Sequence, residues 1–419
     1  MRKSLLRISS RTFSSSQFYM SLEDQYGCHN YKPLPLVIAS GSGLYLTDVE
    51  GKVYMDFLAG ISAVNQGHCH PKIMAAMEEQ IKTLTLTSRA FYNNKLGELE
   101  KYLCELFKYD KVLMMNTGVE AGESALKFVR RWAYDKKRVP LDQARVLFAK
   151  GNYWGRSIAA CGSSDNPDIN RRFGPYGGLG FELIEYNNPE VLENYLKKDS
   201  NIAAVMLEPI QGEHGVIIPQ EGYLRKVKEL CQKYKVLFIG DEIQTGLGRT
   251  GKLLAFDWEG IRPDVLLLGK SLSGGFYPIS SVLCNDEVMM NIKPGEHGST
   301  YGGNVLAAHI SKVAVQTLIE EGMIENSKVI GEFFLKGLKE IVKGRNIVKE
   351  VRGRGLMCAM EIATNGKTDA WKVCLMLKEM GIATRYTNGN VIRLCPPLVI
   401  KKEEAEEALN RIKKALDKF

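Results

Sequence analysis

The chain has 419 residues, of which 45% are hydrophobic and 25% are charged, and this length and composition allow a large core and two globular domains. No apolar run approaches the roughly 18 residues that a membrane helix needs, so the sequence predicts no association with a membrane. The formal net charge of +8 comes in large part from the first residues, and the remainder is spread too thinly for a nucleic-acid-binding surface.

The first 22 residues are basic and serine-rich and contain no acidic residue. Arg2, Lys3, Arg7 and Arg11 supply +4 of the formal +8. This composition is typical of a mitochondrial transit peptide, whereas a secretory signal needs a longer apolar core. We therefore expect residues 1–22 to direct the protein to the mitochondrial matrix. The alternative is a disordered basic tail on a cytoplasmic protein.

The next segment contains short strand-like pieces and then a helix. Residues 44–46 and 53–57 flank a turn at residues 50–51 and predict a small β-meander. A helix is predicted from Pro71 onward, because apolar residues recur there at helical spacing. The residues of its predicted inner face are Ile73, Met74, Met77 and Ile81.

No metal site is predicted. His68 and His70 lie two positions apart, without the additional ligands that a zinc site needs. The nine cysteines are scattered and form no CxxC pair, which favours free thiols.

Five short apolar runs, bounded by glycine or charged residues, predict buried strands of a mostly parallel sheet. These runs are residues 111–115, 145–149, 202–207, 236–239 and 265–268. Helical patterns alternate with them, which predicts an α/β domain with helices flanking the sheet. From Ile324 onward, amphipathic helices and short strands predict a smaller α+β domain. We expect residues 61–305 to form the large domain, and residues 23–60 and 306–419 to form the small one, with a linking helix.

Two charged residues follow neighbouring strands in this arrangement. Asp241 comes just after the run at 236–239, and Lys270 just after the run at 265–268. Ligands of open α/β sheets bind beyond the carboxyl ends of the strands. A lysine amine that condenses with an aldehyde, and an acid that faces a pyridine nitrogen, are what pyridoxal phosphate needs. On spacing alone, however, an Asp241–arginine pair and a solvated Lys270 are the better interpretation.

Two other turns suit parts of such a ligand. Residues 116–120 form a glycine turn between a strand and a helix, where free backbone amides and the helix dipole favour an anion. Tyr153, Trp154 and Arg156 follow the run at 145–149 and suit a flat ring and a carboxylate. Both signals are weak by themselves, since α/β proteins contain many such turns and the aromatic pair can simply pack the loop.

The segment Gly246–Lys252 suggests a function of another class. Its sequence GLGRTGK matches the GxxxxGK pattern of a nucleotide-binding P-loop. However, Leu253 stands where that motif needs serine or threonine for magnesium, and no helical pattern begins at Lys252. We interpret the match as chance and keep a nucleotide-binding protein as the alternative.

Taken together, the motifs resemble those of the class III aminotransferases, a pyridoxal-phosphate family of fold type I, and among them the ornithine aminotransferases. The resemblance covers nearly the whole chain after the leader. The matching stretches are SAVNQGHCHPKI (62–73), LTSRAFYNN (86–94), NTGVEAGESALK (116–127), GNYWGR (151–156), EPIQGE (208–213), DEIQTGLGRTG (241–251), LLGKSLSGG (267–275), GEHGSTYGGN (295–304) and IRLCPPL (392–398). Their number and order make the resemblance specific.

The resemblance implies pyridoxal 5'-phosphate as cofactor and a homodimer or larger homo-oligomer. Lys270 would bind the cofactor's aldehyde and then move a proton between substrate carbon and cofactor, and Asp241 would hold the pyridine nitrogen protonated. The other implied cofactor contacts are Gly118 and Val119 with the phosphate, Thr300 from the second subunit with the same phosphate, Gln244 near the phenolic oxygen, and Tyr153 on the ring.

The resemblance also implies ornithine and 2-oxoglutarate as substrates. Tyr31 and Arg156 would hold the α-carboxylate of ornithine. Arg393 would bind 2-oxoglutarate or glutamate through two hydrogen bonds, and Glu213 would pair with Arg393 while ornithine is bound. The implied ping-pong reaction transfers the δ-amino group of L-ornithine to 2-oxoglutarate and gives glutamate 5-semialdehyde and glutamate.

One position departs from the ornithine pattern. Ornithine aminotransferases usually have a tyrosine where this chain has Ile61, and acetylornithine and 4-aminobutyrate aminotransferases have isoleucine. Acetylornithine and 4-aminobutyrate are therefore alternative donors, although Tyr31 and the motifs at 62–73 and 151–156 favour ornithine.

Overall fold

The computed structural model describes residues 15–363 and 368–419, which contain three β-sheets. Residues 1–14 of the predicted leader lie outside the described residues. Residues 15–22 of the leader belong to helix α1 (Ser15–Tyr26). Within the described ranges, no helix is both long enough and apolar enough to cross a bilayer.

The N-terminal segment contains the predicted meander and helix. Its elements after α1 are β1 (Ile38–Ser42), β2 (Tyr45–Asp48), β3 (Val53–Asp56), α2 (Ala59–Ser62), α3 (Pro71–Ile81) and α4 (Leu96–Phe107). The inner face predicted for α3 is partly wrong. Ile73 is fully buried, but Met74 and Ile81 are 41% and 46% exposed in the single chain. Ala76 and Gln80 take the inner positions instead.

A seven-stranded sheet forms the centre of the molecule. The elements of this part are β4 (Lys111–Met115), α5 (Gly118–Asp135), β5 (Arg145–Ala149), α6 (Ile158–Gly162), α7 (Pro167–Asn170), β6 (Phe181–Ile184), α8 (Pro189–Lys198), β7 (Ile202–Leu207), α9 (Tyr223–Lys233), β8 (Leu237–Asp241), β9 (Val265–Leu268), β10 (Ser280–Cys284) and α10 (Asp286–Met289). The strand order is β4-β10-β9-β8-β7-β5-β6, and all strands except β10 run in one direction. The predicted mostly parallel sheet is confirmed.

Helices cover both faces of this sheet, which explains why its strands are apolar throughout. Helix α5 packs against β9 and β10 on one face, and α9 packs against β8 on the other. Every residue of β9 is fully buried. The core therefore fixes the strand ends, from which the charged residues project.

The C-terminal part consists of helices and an antiparallel sheet. Its elements are α11 (Val305–Glu320), α12 (Met323–Val342), β11 (Val348–Arg354), β12 (Met357–Ile362), α13 (Ala370–Glu379), β13 (Ile382–Ala383), β14 (Tyr386–Thr387), β15 (Val391–Leu394) and α14 (Lys402–Leu416). The sheet order is β11-β12-β15-β14, and β13 instead pairs in parallel with β3 of the N-terminal meander. The two ends of the chain thus share a sheet. The domain boundaries at positions 61 and 305 stay a prediction.

Candidate active site

Asp241 and Lys270 meet at the carboxyl ends of β8 and β9. Asp241 is the last residue of β8 and pairs in register with Leu267 of β9. Lys270 begins a short 3-10 helix (Lys270–Ser273) two residues after β9 ends. Each side chain is close enough to change the pKa of the other. The predicted meeting of the acid and the lysine in one crevice is therefore present in the structure.

Burial sets the ionisation of both groups. Asp241 is 4% exposed, and burial raises the pKa of its carboxyl to about 6, against the hydrogen bond from the Ile243 amide and the charge of Lys270. Desolvation is also the main cause that lowers the pKa of the Lys270 amine, which makes its neutral, nucleophilic form more available. Lys270 has a φ of 46°, a backbone conformation that residues other than glycine seldom adopt outside functional or strained sites.

A third acid, Glu208, belongs to the same crevice and was given no role in the sequence analysis. It directly follows β7, so it has the same strand-end position as Asp241, and that position is the signal that could have identified it. Its two carboxylate oxygens accept the backbone amides of Tyr153 (2.9 Å) and Gly212 (3.1 Å). Burial and then the negative charge of Asp241 raise its pKa to about 8. Glu208 thus ties together two loops that flank Asp241.

A narrow pocket lies in front of Asp241. Its lining residues are Phe148, Asn152, Tyr153, Trp154, Met206, Glu208 and Asp241. Trp154 stacks on Phe148 with ring centroids 5.9 Å apart, and its indole donates to Ser163 (2.8 Å), which holds the aromatic wall in place. The Asp241 Oδ1 atom accepts the Ile243 amide at 2.9 Å, and the carboxylate accepts no second hydrogen bond from the described residues. The carboxylate of Asp241 thus keeps an oxygen available for a donor such as a protonated ring nitrogen, beside an aromatic wall.

The amino end of α5 offers two free backbone amides beside this pocket. Thr117 and Glu120 form a capping box that fixes the first turn of the helix. The amides of Gly118 and Val119 donate to no acceptor in the part of the chain that the structure describes. A Cβ atom on Gly118 would lie 3.0 Å from the Ile243 side chain, so glycine lets the helix start close to Asp241. The position suits a phosphate group.

Glu213 and Arg393 form an ion pair at another side of the crevice, in which Arg393 is buried and Glu213 is partly exposed. Arg393, on β15, is 3% exposed, and its Nη1 atom donates to Glu213 Oε1 while its Nε atom has no partner. Burial alone would raise the pKa of Glu213, but the charges of Arg393 and Lys270 lower it below its usual range. Gln244 also donates to Glu213 at 3.4 Å. This contact requires glycine at position 212, where a Cβ atom would lie 1.8 Å from the Gln244 amide oxygen.

Tyr31 and Arg156 border the same region from the outside. Arg156 lies over the Tyr153 ring at 5.8 Å, and Arg385 lies over the Tyr31 ring at 5.7 Å. Tyr153 is close enough to Tyr31 and Glu213 that both affect its pKa, which burial raises first of all. Tyr31 is 66% exposed and is therefore open to a ligand.

Thr300 is the one predicted site residue that lies apart from this crevice. It is exposed and makes no hydrogen bond within the described residues. Its neighbour Ser299 accepts a hydrogen bond from Asn116 at 2.9 Å, so the loop lies beside the start of α5.

Ile61 lies in a turn with an uncommon backbone. Ala59, Gly60, Ile61 and Ser62 all have positive φ values, between 49° and 64°. This turn, α2, packs against the 3-10 helix that begins with Lys270. The position that departs from the ornithine pattern therefore lies on an element that contacts the short helix of Lys270.

The nucleotide-binding alternative at Gly246–Lys252 is wrong, as expected for a chance match to the P-loop pattern. Arg249, in the middle of this segment, is fully buried and donates to the carbonyl oxygens of Leu356 (2.9 Å) and Pro396 (2.6 Å) and to Asn65 (2.5 Å). The segment is thus occupied by contacts within the chain and cannot surround a phosphate.

Comparisons with known proteins agree with this geometry. Residues 26–416 match the family model of the class-III aminotransferases. A probable mitochondrial ornithine aminotransferase of Caenorhabditis elegans is 57% identical over 98% of this chain and 96% of its own length. An ornithine aminotransferase structure from Toxoplasma gondii, with partial occupancy of PLP at its active site, is 47% identical with a TM-score of 0.95 and covers 97% of this chain and 95% of its own. An acetylornithine aminotransferase structure from Elizabethkingia anophelis is 44% identical with a TM-score of 0.89 and covers 97% of this chain and 100% of its own.

The Glu213–Arg393 pair makes a prediction about stability. Replacing Glu213 with alanine leaves Arg393 buried without its counter-ion, so we expect the free energy of unfolding to fall by about 2–4 kcal/mol. This lies near the low end for a buried pair, because the Glu213 side chain is 25% exposed. The measurement is thermal unfolding without substrate, and the melting temperature should fall by a few degrees. Glu407→Ala, which breaks the surface pair with Arg411, is the matched control and should have little effect. Equal melting temperatures for both variants would contradict the prediction.

Proposed function

The chain belongs to the class III aminotransferases, which use pyridoxal phosphate, and from that membership we propose that it is an ornithine aminotransferase. It would transfer the δ-amino group of L-ornithine to 2-oxoglutarate and release glutamate 5-semialdehyde and glutamate. The observation that supports this proposal most directly is the Glu213–Arg393 pair beside Lys270. Arg393 can bind a substrate carboxylate, and Glu213 can neutralise Arg393 when the substrate brings none there. One site can therefore admit first an amino donor and then an acceptor of different charge.

The residues of the crevice fit pyridoxal phosphate. When bound, this cofactor supplies an aldehyde that accepts the amino group and a ring that withdraws electrons from the reacting carbon. Asp241 would accept a hydrogen bond from the ring nitrogen with its available oxygen and keep that nitrogen protonated. Gly118 and Val119 would donate to the phosphate, Tyr153 would contact the ring, and Gln244 would lie near the phenolic oxygen.

Lys270 would perform two tasks. Its amine binds the aldehyde covalently, and the lowered pKa favours the neutral form that can react. After its release from the aldehyde, the Lys270 amine would hold the proton that leaves the substrate carbon and return it on the cofactor's side. Burial of the crevice keeps water away from this transfer.

Glu213 and Arg393 would select the substrates of the two half-reactions. Tyr31 and Arg156 hold the α-carboxylate of ornithine at the open side, which leaves the δ-amine near Lys270. During this half-reaction Glu213 neutralises Arg393, so no second carboxylate is required. A dicarboxylate such as 2-oxoglutarate replaces Glu213 and accepts two hydrogen bonds from Arg393, whose Nε atom has no partner in the present pairing.

We further propose a homodimer in the mitochondrial matrix. Thr300 is exposed and has no hydrogen-bond partner among residues 15–363 and 368–419, as expected for a residue that completes the phosphate site of a second subunit. The C. elegans relative is described as mitochondrial, and the first residues of this chain have the composition of a transit peptide.

The covalent role of Lys270 has a direct test. Borohydride treatment of the protein with pyridoxal phosphate should attach the cofactor permanently to the peptide that contains Lys270, as measured by mass spectrometry. Lys270→Ala should lose the adduct, and Lys252→Ala, which alters a lysine outside the crevice, should retain it. An unmodified Lys270 peptide in the presence of cofactor would remove the basis of the proposed function.

Donor specificity is the second test, since Ile61 favours acetylornithine or 4-aminobutyrate as alternatives. We expect kcat/KM to be highest for ornithine in a panel of the three donors with product identification. Ile61→Tyr should raise the preference for ornithine, because it restores the tyrosine of the ornithine pattern on the turn that packs against the short helix of Lys270. A preference for either competitor in the unaltered protein would replace ornithine in the proposal.

Localisation can be measured separately. Residues 1–25 fused to a fluorescent reporter should direct it to mitochondria, and changing Arg2, Lys3, Arg7 and Arg11 to glutamine should abolish this import. A diffuse cytosolic signal from the unaltered fusion would support the cytoplasmic alternative.

A further inference from the structure

We propose that His297 is a positioning residue that holds the loop of Thr300 on helix α5, and that through this loop it controls how tightly the other subunit binds the cofactor. The proposal rests on the proposed function, in which Thr300 contacts the phosphate in the second subunit. It adds a connection between the two sites that passes through α5, the helix whose amino end contacts the phosphate of its own subunit.

The ring of His297 is held from three directions by α5. Its Nε2 atom lies 2.8 Å from the Ser124 hydroxyl, and its Nδ1 atom lies 3.0 Å from the Lys127 ammonium. The Phe128 ring meets it edge to face at 5.8 Å. Ser124 is fully buried, so removal of the histidine would take away the donor that its hydroxyl oxygen accepts from. The ring therefore occupies a fitted position and not a random place on the surface.

The hydrogen bonds define which nitrogen of the ring carries the proton. A lysine ammonium can only donate, so Nδ1 must accept, and a neutral imidazole then has its proton on Nε2. Nε2 donates to Ser124, whose own proton is free for the Glu120 carbonyl oxygen at 2.6 Å. Burial and the nearby Lys127 charge both lower the pKa of His297, in agreement with a neutral ring. Both ring nitrogens and the Ser124 hydroxyl thus have partners of matching kind.

The residues around His297 are attached to the same helix. The backbone oxygen of Glu296 accepts from Lys127 at 2.9 Å, and its side chain pairs with Arg131 at 3.0 Å. Ser299 accepts from Asn116, just before α5, at 2.9 Å. By contrast, Thr300 makes no hydrogen bond within the described part of its own chain. A loop this firmly attached, which ends in an exposed hydroxyl without a partner, is suited to present that hydroxyl to another molecule.

Helix α5 would then serve two cofactors. Its first amides, from Gly118 and Val119, face the phosphate position of its own subunit, and its residues 124–131 fix the loop that reaches the second subunit. Because a helix is stiff, α5 resists a shift of the loop that carries Thr300. The same helix also forms the phosphate site of its own subunit. A purely structural role for His297 would affect stability, but it would not affect one subunit's cofactor through the other subunit.

The first experiment measures cofactor affinity in homodimers, by titrating pyridoxal phosphate into the cofactor-free protein and following its absorbance. His297→Ala and Thr300→Ala should each weaken binding about tenfold, because the first displaces and the second removes the hydroxyl that contacts the phosphate. The double variant should be no weaker than Thr300→Ala alone, since His297 acts through Thr300. His297→Gln, which keeps a donor for Ser124 and an acceptor for Lys127, should recover most of the affinity. His309→Ala is the control, because this histidine is also partly buried but lies on α11 near Glu79.

The second experiment uses mixed dimers, in which only one subunit can retain the cofactor covalently. An unaltered chain paired with a Lys270→Ala, His297→Ala chain should bind cofactor about tenfold more weakly at its intact site, because the loop that reaches that site lacks His297. A His297→Ala chain paired with a Lys270→Ala chain should bind as the unaltered protein does. Borohydride trapping at limiting cofactor gives the readout.

Three results would overturn the proposal. They are the reverse pattern in the mixed dimers, additive losses in the double variant, and a normal cofactor affinity for His297→Ala or Thr300→Ala. In each case the cofactor is still trapped on Lys270 of the unaltered protein. If no cofactor is trapped there at all, the proposed function itself fails, so the two failures can be told apart.

Discussion

The burial of charge at the carboxyl ends of β7, β8 and β9 is the constraint on which the rest of the structure depends. Glu208, Asp241 and Lys270 stand at the ends of these three strands, where burial makes each ionised form unfavourable unless a partner stabilises it. Glu213 and Arg393 satisfy each other, but Asp241 has one oxygen without a hydrogen bond from the described residues, and Arg393 has an unpartnered Nε atom. The free oxygen of Asp241 is where a bound cation would be stabilised most, and the free Nε atom of Arg393 is where a bound carboxylate would be stabilised most.

The crevice requires that parts of the chain far apart in sequence stay in register, and Arg249 provides this. Its guanidinium binds backbone oxygens at Leu356 and Pro396, close to the strand of Arg393, and the side chain of Asn65. Asn65 in turn donates to the hydroxyl of Ser271, the residue after Lys270. The lysine and the arginine that must face the same substrate are therefore connected through one buried cation. Burial lowers the pKa of Arg249 only to about 10, so it remains charged at neutral pH.

The positions of the strand ends could be predicted from the sequence, because a short apolar run followed by a charged residue indicates both the strand and the place of the charge. It could not give the reversed direction of β10, since an apolar run looks the same in either orientation. The pairing of Glu213 with Arg393 joins residues 180 positions apart, and only the family resemblance suggested it. Helical periodicity predicted the burial of Ile73 correctly but that of Met74 and Ile81 wrongly. The spacing of apolar residues on α3 does not show which of them other elements of the chain pack against. The roles assigned to individual site residues stay predictions.

The turn that carries Ile61 shows how strain and specificity are related. A β-branched residue with a φ of 61° is unfavourable by about 1–2 kcal/mol. Such a conformation persists only where neighbouring contacts determine it. Here Asp56 accepts the amides of Leu58 (2.8 Å) and Ala59 (2.9 Å) and is itself held by His68 (2.7 Å). Because these contacts involve the backbone and not the side chain at position 61, they fix the direction of that side chain whatever its identity. An exchange of isoleucine for tyrosine at position 61 would then change the size and polarity of this turn while the backbone contacts that hold it stay in place.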